Sequence, residues 1–368
     1  MNIFFIVLFT IISLEVVFNI LYFLKNKKIY KKKKKILYSR IHYIGHPYLP
    51  FVLKKRFKNH GNTSIDYPIK QKYELTSPEL KSNNLGFYNG NNGNKEVVLK
   101  NKKNKIRINC LGGSTTMNYL GGQNDNNTSY PIELQKKLDL YQKNKYEVNN
   151  FGQGLYNSTD VLVRFITSHI NTKPDIIILY IGYNDIRSYL TNNFASDHSH
   201  SRKTLNFSKF KIFLNYIAFD FKLSFLNYFL SKISVYNIKD SLTQEISKGK
   251  FNLNNSPKKG LKIFAQNIEL IIIICSRMKI KLVMSSFCFY KHKTIKNNKL
   301  HLKFQKIINE ENKILKKLAK KNAIPFIDNN LAIEKKDLNF VDSIHFSKKG
   351  MTNLAENFCK EIIKLGIK

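Results

Sequence analysis

Apolar positions along this 368-residue chain fall into three regimes. Residues 3–24, IFFIVLFTIISLEVVFNILYFL, are apolar on every side with no period-2 alternation. Residues 36–104 show no core pattern and are rich in turn formers, as in GFYNGNNGNKEVV. From residue 105 onward, short continuous apolar runs alternate with stretches of helical periodicity.

IRINCL (106–111) predicts a strand ended by glycine, YPIELQKKLDLY (130–141) a helix, and YEVNNFG (146–152) a second strand. STDVLVRFITSHI (158–170) predicts another helix, and PDIIILYIG (174–182), an unbroken apolar run after proline, predicts a strand buried on both faces. Residues 188–258 interrupt the alternation. Their stretch 207–233, FSKFKIFLNYIAFDFKLSFLNYFLSKI, predicts amphipathic helices that either pack on the domain or form an interfacial surface or lid. The alternation resumes with a helix over 260–278, a strand KLVMSSF (281–287), a helix over 301–321, a strand IPFID (324–328) and a final helix from Lys348. Strands joined by helices imply a parallel sheet covered on both faces, with ligands bound beyond the carboxyl ends of the strands. The chain therefore divides into an anchor (1–24), a basic juxtamembrane and irregular lead-in (25–104), and one α/β domain (105–368) carrying an insertion at about 188–258.

As a helix, the first apolar segment would reach about 33 Å, enough for a bilayer core. Glu15 opposes insertion by about 2.5–3.5 kcal/mol, but seventeen Leu, Ile, Val and Phe residues each favour it by about 0.3–0.6 kcal/mol, so insertion wins. The segment has neither the charged leading region nor the small-residue cleavage site of a signal peptide. A single-pass transmembrane helix is the expectation. The eight lysines of KNKKIYKKKKK (25–35) would place the following domain on the cytoplasmic side, or rest on anionic headgroups; the side stays open.

The net charge of +37, from 62 basic against 25 acidic residues, would ordinarily point to nucleic acid or an anionic membrane. Here lysine, asparagine, isoleucine and phenylalanine are in excess together, as an AT-rich coding sequence would produce. The basic excess is nearly all lysine and spread along the chain, with no zinc-finger spacing or RNA-binding motif, so no nucleic-acid partner is expected. Cys110, Cys275, Cys288 and Cys359 are too scattered for a disulfide framework or a metal-ligand pair and are expected to be buried free thiols.

Four loops carry candidate chemistry. GGSTT (112–116) lacks the lysine of a P-loop, the three spaced glycines of a dinucleotide fingerprint, and the last glycine of a G-x-S-x-G elbow, where Thr116 stands. Ser114 can cap a helix or act as a nucleophile. NNFGQGLYNS (149–158) offers glycines whose N–H groups can turn toward a ligand. In IGYNDI (181–186), Asn184 can donate a side-chain hydrogen bond, and Asp185 can cap a helix or tether the loop. FVDSIHFSKKG (340–350) places Asp342 and His345 three residues apart, where both can face one way. Serine, aspartate and histidine are the types a serine hydrolase needs. A D-x-x-H pair can also ligate metal, but no further ligand stands at suitable spacing, so no metal or other cofactor is expected.

In this order, GGSTT, NFGQG, GYND and DSIH resemble the motifs of the SGNH hydrolase superfamily, the GDSL esterases and lipases. The resemblance covers about residues 105–366, and the lead-in HPYLP…NNLGFYNG looks like the segment before the catalytic domain of some membrane-anchored members. It implies a three-layer α/β/α sandwich around a parallel, flavodoxin-like sheet. It also implies Ser114 as nucleophile, His345 as general base and Asp342 as the group orienting it, with an oxyanion hole from the Ser114 N–H, an N–H of the glycine loop and the Asn184 side chain. Two positions depart from the family pattern. The serine motif begins Gly-Gly rather than Gly-Asp, and Leu155 stands where the oxyanion glycine is usual, with Gly152 and Gly154 as alternative donors. The implied reaction is hydrolysis of a small acyl ester, such as an O-acetyl group on a glycan or a lipid acyl ester. Acyl transfer by the same residues, or a catalytically silent membrane-tethered binding protein, are the alternatives.

Overall fold

The computed structural model describes residues 3–26, 43–57, 82–88, 96–97, 99, 105–117, 129–202, 225, 250–292 and 298–367. Helix α1 (Ile3–Asn26) comes first, and over Phe5–Lys25 it is long and apolar enough to cross a membrane. Its apolar side chains are largely exposed among the described residues. Glu15 is not left bare: it accepts the Asn19 side-chain amide at 3.2 Å and the Phe225 N–H at 2.7 Å.

Two short strands, β1 (Tyr43–Ile44) and β2 (Val52–Leu53), pair antiparallel in the lead-in. The main sheet is built from β3 (Ile106–Gly112), β4 (Tyr146–Gly152), β5 (Ile176–Tyr180), β6 (Lys281–Ser285) and β7 (Phe326–Ile327), all parallel, in the order β4-β3-β5-β6-β7. Counted in chain order this is 2-1-3-4-5, the flavodoxin-like arrangement. Every residue of β3, β4 and β5 is buried, which explains why these strands read as continuous runs.

Among the described residues, five longer helices cover the sheet: α2 (Tyr130–Tyr141), α3 (Ser158–Thr167), α4 (Lys258–Arg277), α5 (Asn298–Lys321) and α6 (Lys348–Lys364). α2 packs on α6, while α4 packs between α3 and α5. Right-handed crossovers account for this. Strand order reverses at β3, so α2 goes to one face and α3, α4 and α5 to the other, giving three layers. Each helix buries an apolar stripe; that of α5 runs through Ile307, Ile308, Leu315 and Leu318, with the Glu311 side chain buried on the same face. Start signals are local: Asn157 and Asp160 form a reciprocal capping box on α3, and the Ser347 hydroxyl accepts the Gly350 N–H on α6.

Three features differ from the sequence reading. The expected helix over 158–170 stops at Thr167, and a 3-10 turn follows at His169–Thr172. The strands expected over 174–182, 281–287 and 324–328 shorten to residues 176–180, 281–285 and 326–327, because pairing rather than apolarity sets their length. Most consequentially, parts of the lead-in belong to the core: Leu49, Phe51, Leu53, Phe87, Tyr88 and Val97 are buried. The Phe87 ring packs 4.6 Å from Phe151 and 5.0 Å from His169, and the Arg164 guanidinium lies 4.7 Å from it while donating to the Leu85 carbonyl. These residues are held by long-range packing, and singly spaced apolar residues carry no periodic signal.

The insertion leaves and returns at one place. Thr191 bridges Phe251, the Asn192 N–H donates to the Lys250 carbonyl at 3.0 Å, and the Asn252 N–H to the Leu190 carbonyl at 2.7 Å. The amphipathic helices expected within 207–233 lie outside the described residues except for Phe225. The four cysteines are buried thiols.

Candidate active site

Strand order reverses between β3 and β5, and loops diverge there at the carboxyl ends of the strands. A single helical turn, Ser114–Met117, follows β3 directly, with the Thr116 and Met117 N–H groups donating to the Gly113 carbonyl at 3.2 and 3.1 Å. Ser114 is the first residue of this turn, and its Oγ lies 2.9 Å from His345 Nε2. His345 Nδ1 lies 2.7 Å from Asp342 Oδ2, while Asp342 Oδ1 accepts the Ile344 and His345 N–H groups at 2.8 and 2.7 Å. The short D-x-x-H turn thus orients both side chains locally. It is fixed from outside by the Phe340–Phe346 bridge and by the Tyr290 N–H, which donates to the Ser343 carbonyl at 2.9 Å.

Burial pushes the Asp342 carboxyl up, but the His345 ring and the two backbone N–H groups outweigh it and hold the group below the usual carboxylate range. Both ring nitrogens of His345 are engaged, in the hydrogen-bonded order that a nucleophile, a base and its orienting acid would need. Among the described residues no third His, Cys, Asp or Glu joins Asp342 and His345 in a metal-binding group.

Asn184 comes from the turn after β5. Its Nδ2 donates to the Tyr156 carbonyl at 2.9 Å and lies beside Gly113, where an added Cβ would sit 2.7 Å from it. Asp185 tethers this loop and adds a cap to α3: it accepts the Ser158 N–H, at 2.9 Å to Oδ2, and the Ser158 hydroxyl at 2.5 Å. Asn267 on α4 then donates to Ser158 Oγ and Thr159 Oγ1, both at 2.9 Å.

The glycine loop follows β4. Gly152 turns its N–H to Asn150 Oδ1 at 3.0 Å, Gln153 to the Gly112 carbonyl at 3.0 Å, Gly154 to Met117 Sδ at 3.3 Å and Tyr156 to the Gln153 carbonyl at 3.3 Å. The Leu155 N–H takes part in none of these bonds. Gly152 and Gly154, the alternative donors, thus spend their N–H groups inside the fold. Leu155 has φ +67°, in the left-handed region where glycine is at no disadvantage, which gives a physical reason for glycine at this position in the SGNH pattern.

Gly152 has a different constraint. A Cβ there would lie 2.3 Å from the Met117 nitrogen and 2.7 Å from the Thr116 carbonyl carbon, both backbone atoms. Gly152→Ala is therefore expected to push the Ser114 turn away and destabilise the fold by about 1–3 kcal/mol, a loss that thermal melts would register.

A narrow cleft opens beside Ser114 and Asn184, walled by Tyr156, Ile181, Phe287 and Ile344. Sequence reading did not single out these wall residues. Tyr156 lies within the glycine loop already identified, and Phe287 at the end of the strand KLVMSSF, so proximity to strand ends was the available signal. Phe287 is rigidly set: its N–H donates to Asn312 Oδ1 at 2.7 Å, its carbonyl accepts Asn312 Nδ2 at 3.0 Å, and its ring stacks on Tyr180 at 5.1 Å. The Tyr156 hydroxyl donates to the Phe51 carbonyl at 2.6 Å, joining the lead-in to the cleft.

Burial lifts the Asp185 carboxyl to about 7, against the hydrogen bonds from Ser158. Between the ordinary carboxylate range and that value, the folded state binds more protons than the unfolded one, so stability falls as pH rises through this window. Asp185→Asn is expected to flatten the decline, which denaturant midpoints at pH 5 and pH 8 would measure as a difference of a few kcal/mol. Buried Glu311, beside Asp185, is pushed up as well and should leave a residual slope.

No protein-family model matches the sequence, and no curated protein matches it. Solved structures are similar at low identity. An acetyl xylan esterase, AlAXEase, has TM-score 0.42 and 15% identity over 70% of this chain and 100% of its own. A GDSL-like lipase from Bacteroides thetaiotaomicron VPI-5482 has TM-score 0.42 and 16% identity over 73% of this chain and 93% of its own. A lipase/acylhydrolase from Enterococcus faecalis has TM-score 0.42 and 15% identity over 70% of this chain and 94% of its own.

Proposed function

We propose that this protein is a membrane-anchored serine esterase of SGNH type that hydrolyses a small acyl ester. The observation that carries the reading is the chain Ser114 Oγ, His345 Nε2 at 2.9 Å, and His345 Nδ1 to Asp342 Oδ2 at 2.7 Å, at the edge of a cleft that Asn184 also lines. As Ser114 Oγ attacks the ester carbonyl carbon, His345 Nε2 takes the hydroxyl proton, and the Asp342 carboxylate favours the imidazolium that forms. Negative charge on the carbonyl oxygen is met by the Ser114 N–H, the Leu155 N–H and the Asn184 amide. The imidazolium then protonates the departing alcohol, leaving an acyl-Ser114. Water, deprotonated by His345, attacks the acyl group, releases the acid and restores Ser114. An alcohol in place of that water would make the same cycle an acyl transfer.

The cleft favours a short acyl group, since Tyr156, Ile181, Phe287 and Ile344 wall it closely around Ser114. An O-acetyl group on a glycan fits this description well; a lipid acyl ester would leave its chain outside. Helix α1 would hold the domain at a membrane surface as a single-pass anchor.

The test is labelling of the full-length protein by a fluorophosphonate, with turnover of p-nitrophenyl acetate and longer acyl esters alongside. Labelling at Ser114 and a preference for acetate are expected. If the folded protein neither labels nor turns over, and instead binds anionic vesicles in a salt-sensitive way, the silent binding reading replaces this one.

A further inference from the structure

We propose that Arg202, at the entry to the insertion, is a positioning residue that holds Leu155 in the left-handed conformation leaving its N–H available to the substrate oxygen. The esterase reading supplies the oxyanion in this statement; the hold of Arg202 on Leu155 stands apart from it.

The glycine loop carries a conformational conflict. A non-glycine residue in the left-handed region pays about 1–2 kcal/mol, so Leu155 at φ +67° needs a restraint from its surroundings. Its own N–H joins none of the loop's bonds and supplies no restraint. The peptide plane joining Leu155 to Tyr156 supplies it instead, because that plane is held at both ends. Its N–H, from Tyr156, donates to the Gln153 carbonyl at 3.3 Å, and its C=O, from Leu155, accepts Arg202 Nη2 at 3.0 Å. A peptide unit is rigid, so pinning both ends sets ψ of Leu155; with the Gly154 N–H held on Met117 Sδ upstream, the peptide in between, which carries the Leu155 N–H and closes its φ, is bounded on both sides.

Arg202 is itself well anchored. The same Nη2 pairs with the buried carboxylate of Asp160, and the arginine side chain is only 17% exposed. Asp160 has no freedom to follow a moving arginine, since its Oδ2 accepts the Asn157 N–H at 3.0 Å and its own N–H donates to Asn157 Oδ1 at 3.0 Å. From the other side, the Arg202 N–H donates to the His198 carbonyl at 3.1 Å, and the His198 ring meets Asn157 Nδ2 at 3.3 Å. One charge-assisted nitrogen therefore ties the loop carbonyl to the first turn of α3 and to the insertion at once. Lysine, with a single point charge and no planar fork, would reproduce the ion pair better than the carbonyl contact.

The test uses full-length Arg202→Ala, Arg202→Lys and Arg202→Gln, with amide hydrogen exchange of the peptide covering 152–156 and steady-state kinetics on p-nitrophenyl acetate. Exchange across 152–156 is expected to quicken at least about tenfold in Arg202→Ala while β3 and β5 keep their protection, because only local opening is affected. The kcat is expected to fall by about 10- to 100-fold with KM within about twofold, the pattern for a contact realised in the transition state, and Arg202→Lys should recover part of it. Unchanged exchange at 152–156 in a folded Arg202→Ala or Arg202→Gln overturns the proposal, as does unchanged kcat beside altered exchange. An intact protein that turns over no ester defeats the esterase reading, and the exchange result then decides the hold on Leu155 by itself.

Discussion

Ser114→Ala is expected to lower kcat on p-nitrophenyl acetate by about 10⁶-fold, His345→Ala by a similar factor, and the double variant by no more than either alone. The reason lies in the geometry. On the proposed mechanism His345 Nε2, 2.9 Å from Ser114 Oγ, takes that oxygen's proton, passes it to the departing alcohol and later deprotonates the water that attacks acyl-Ser114, and all of these steps require Ser114 to attack first. Groups that act as one unit lose their whole effect with the first deletion. Residual turnover in each variant would come from the oxyanion donors and binding, which these substitutions leave in place. Additive losses, or turnover equal to that of the intact protein, would sink the assignment of Ser114 and His345. The Ser114→Ala variant should also fail to take the fluorophosphonate, a readout that needs no turnover.

The next largest effect is expected at Asp342. Asp342→Asn should lower kcat by about 10⁴-fold while the fold survives. The side-chain oxygen that accepts the Ile344 and His345 N–H groups can be retained by asparagine, so the turn keeps its shape. What changes is the group facing His345 Nδ1: an amide N–H in place of a carboxylate favours the wrong tautomer, leaving Nε2 protonated and unable to act as base. Kinetics together with the imidazole proton resonances would separate this tautomer effect from unfolding. The carboxylate is also a pH-sensitive element. Its pKa is held below the ordinary range, so the stabilisation from the Asp342–His345 pair is complete above that range and is lost as pH falls through the depressed value.

The motifs were legible because each is short and self-contained. DSIH closes its own turn through Asp342 Oδ1, and GYND sets Asn184 one residue before the Asp185 that tethers it, so local spacing carries the information. The glycine loop was less legible. Its departure at Leu155 reads as an anomaly until the φ of that residue and the commitments of its neighbours' N–H groups are known. Arg202 lies 47 residues further along, inside an insertion with no motif, and no periodicity links it to the loop it contacts. The lead-in was missed for the same reason: Phe51 and Phe87 are buried by partners beyond residue 150, and a lone aromatic in a polar stretch looks like any other.

By itself, then, the sequence determined the alternation of strands and helices, the apolar helix at the start and the candidate chemical groups at the strand ends. Periodicity, turn residues and short-range hydrogen bonds are properties of neighbours in the chain. The tertiary structure alone decided that the sheet reverses order between β3 and β5, which brings Ser114 within 2.9 Å of a histidine 231 residues away. It also decided which N–H of the glycine loop joins none of the loop's own bonds and what holds the lead-in and the insertion against it. Those outcomes depend on packing and pairing between distant segments, and their energies are set only when the segments meet.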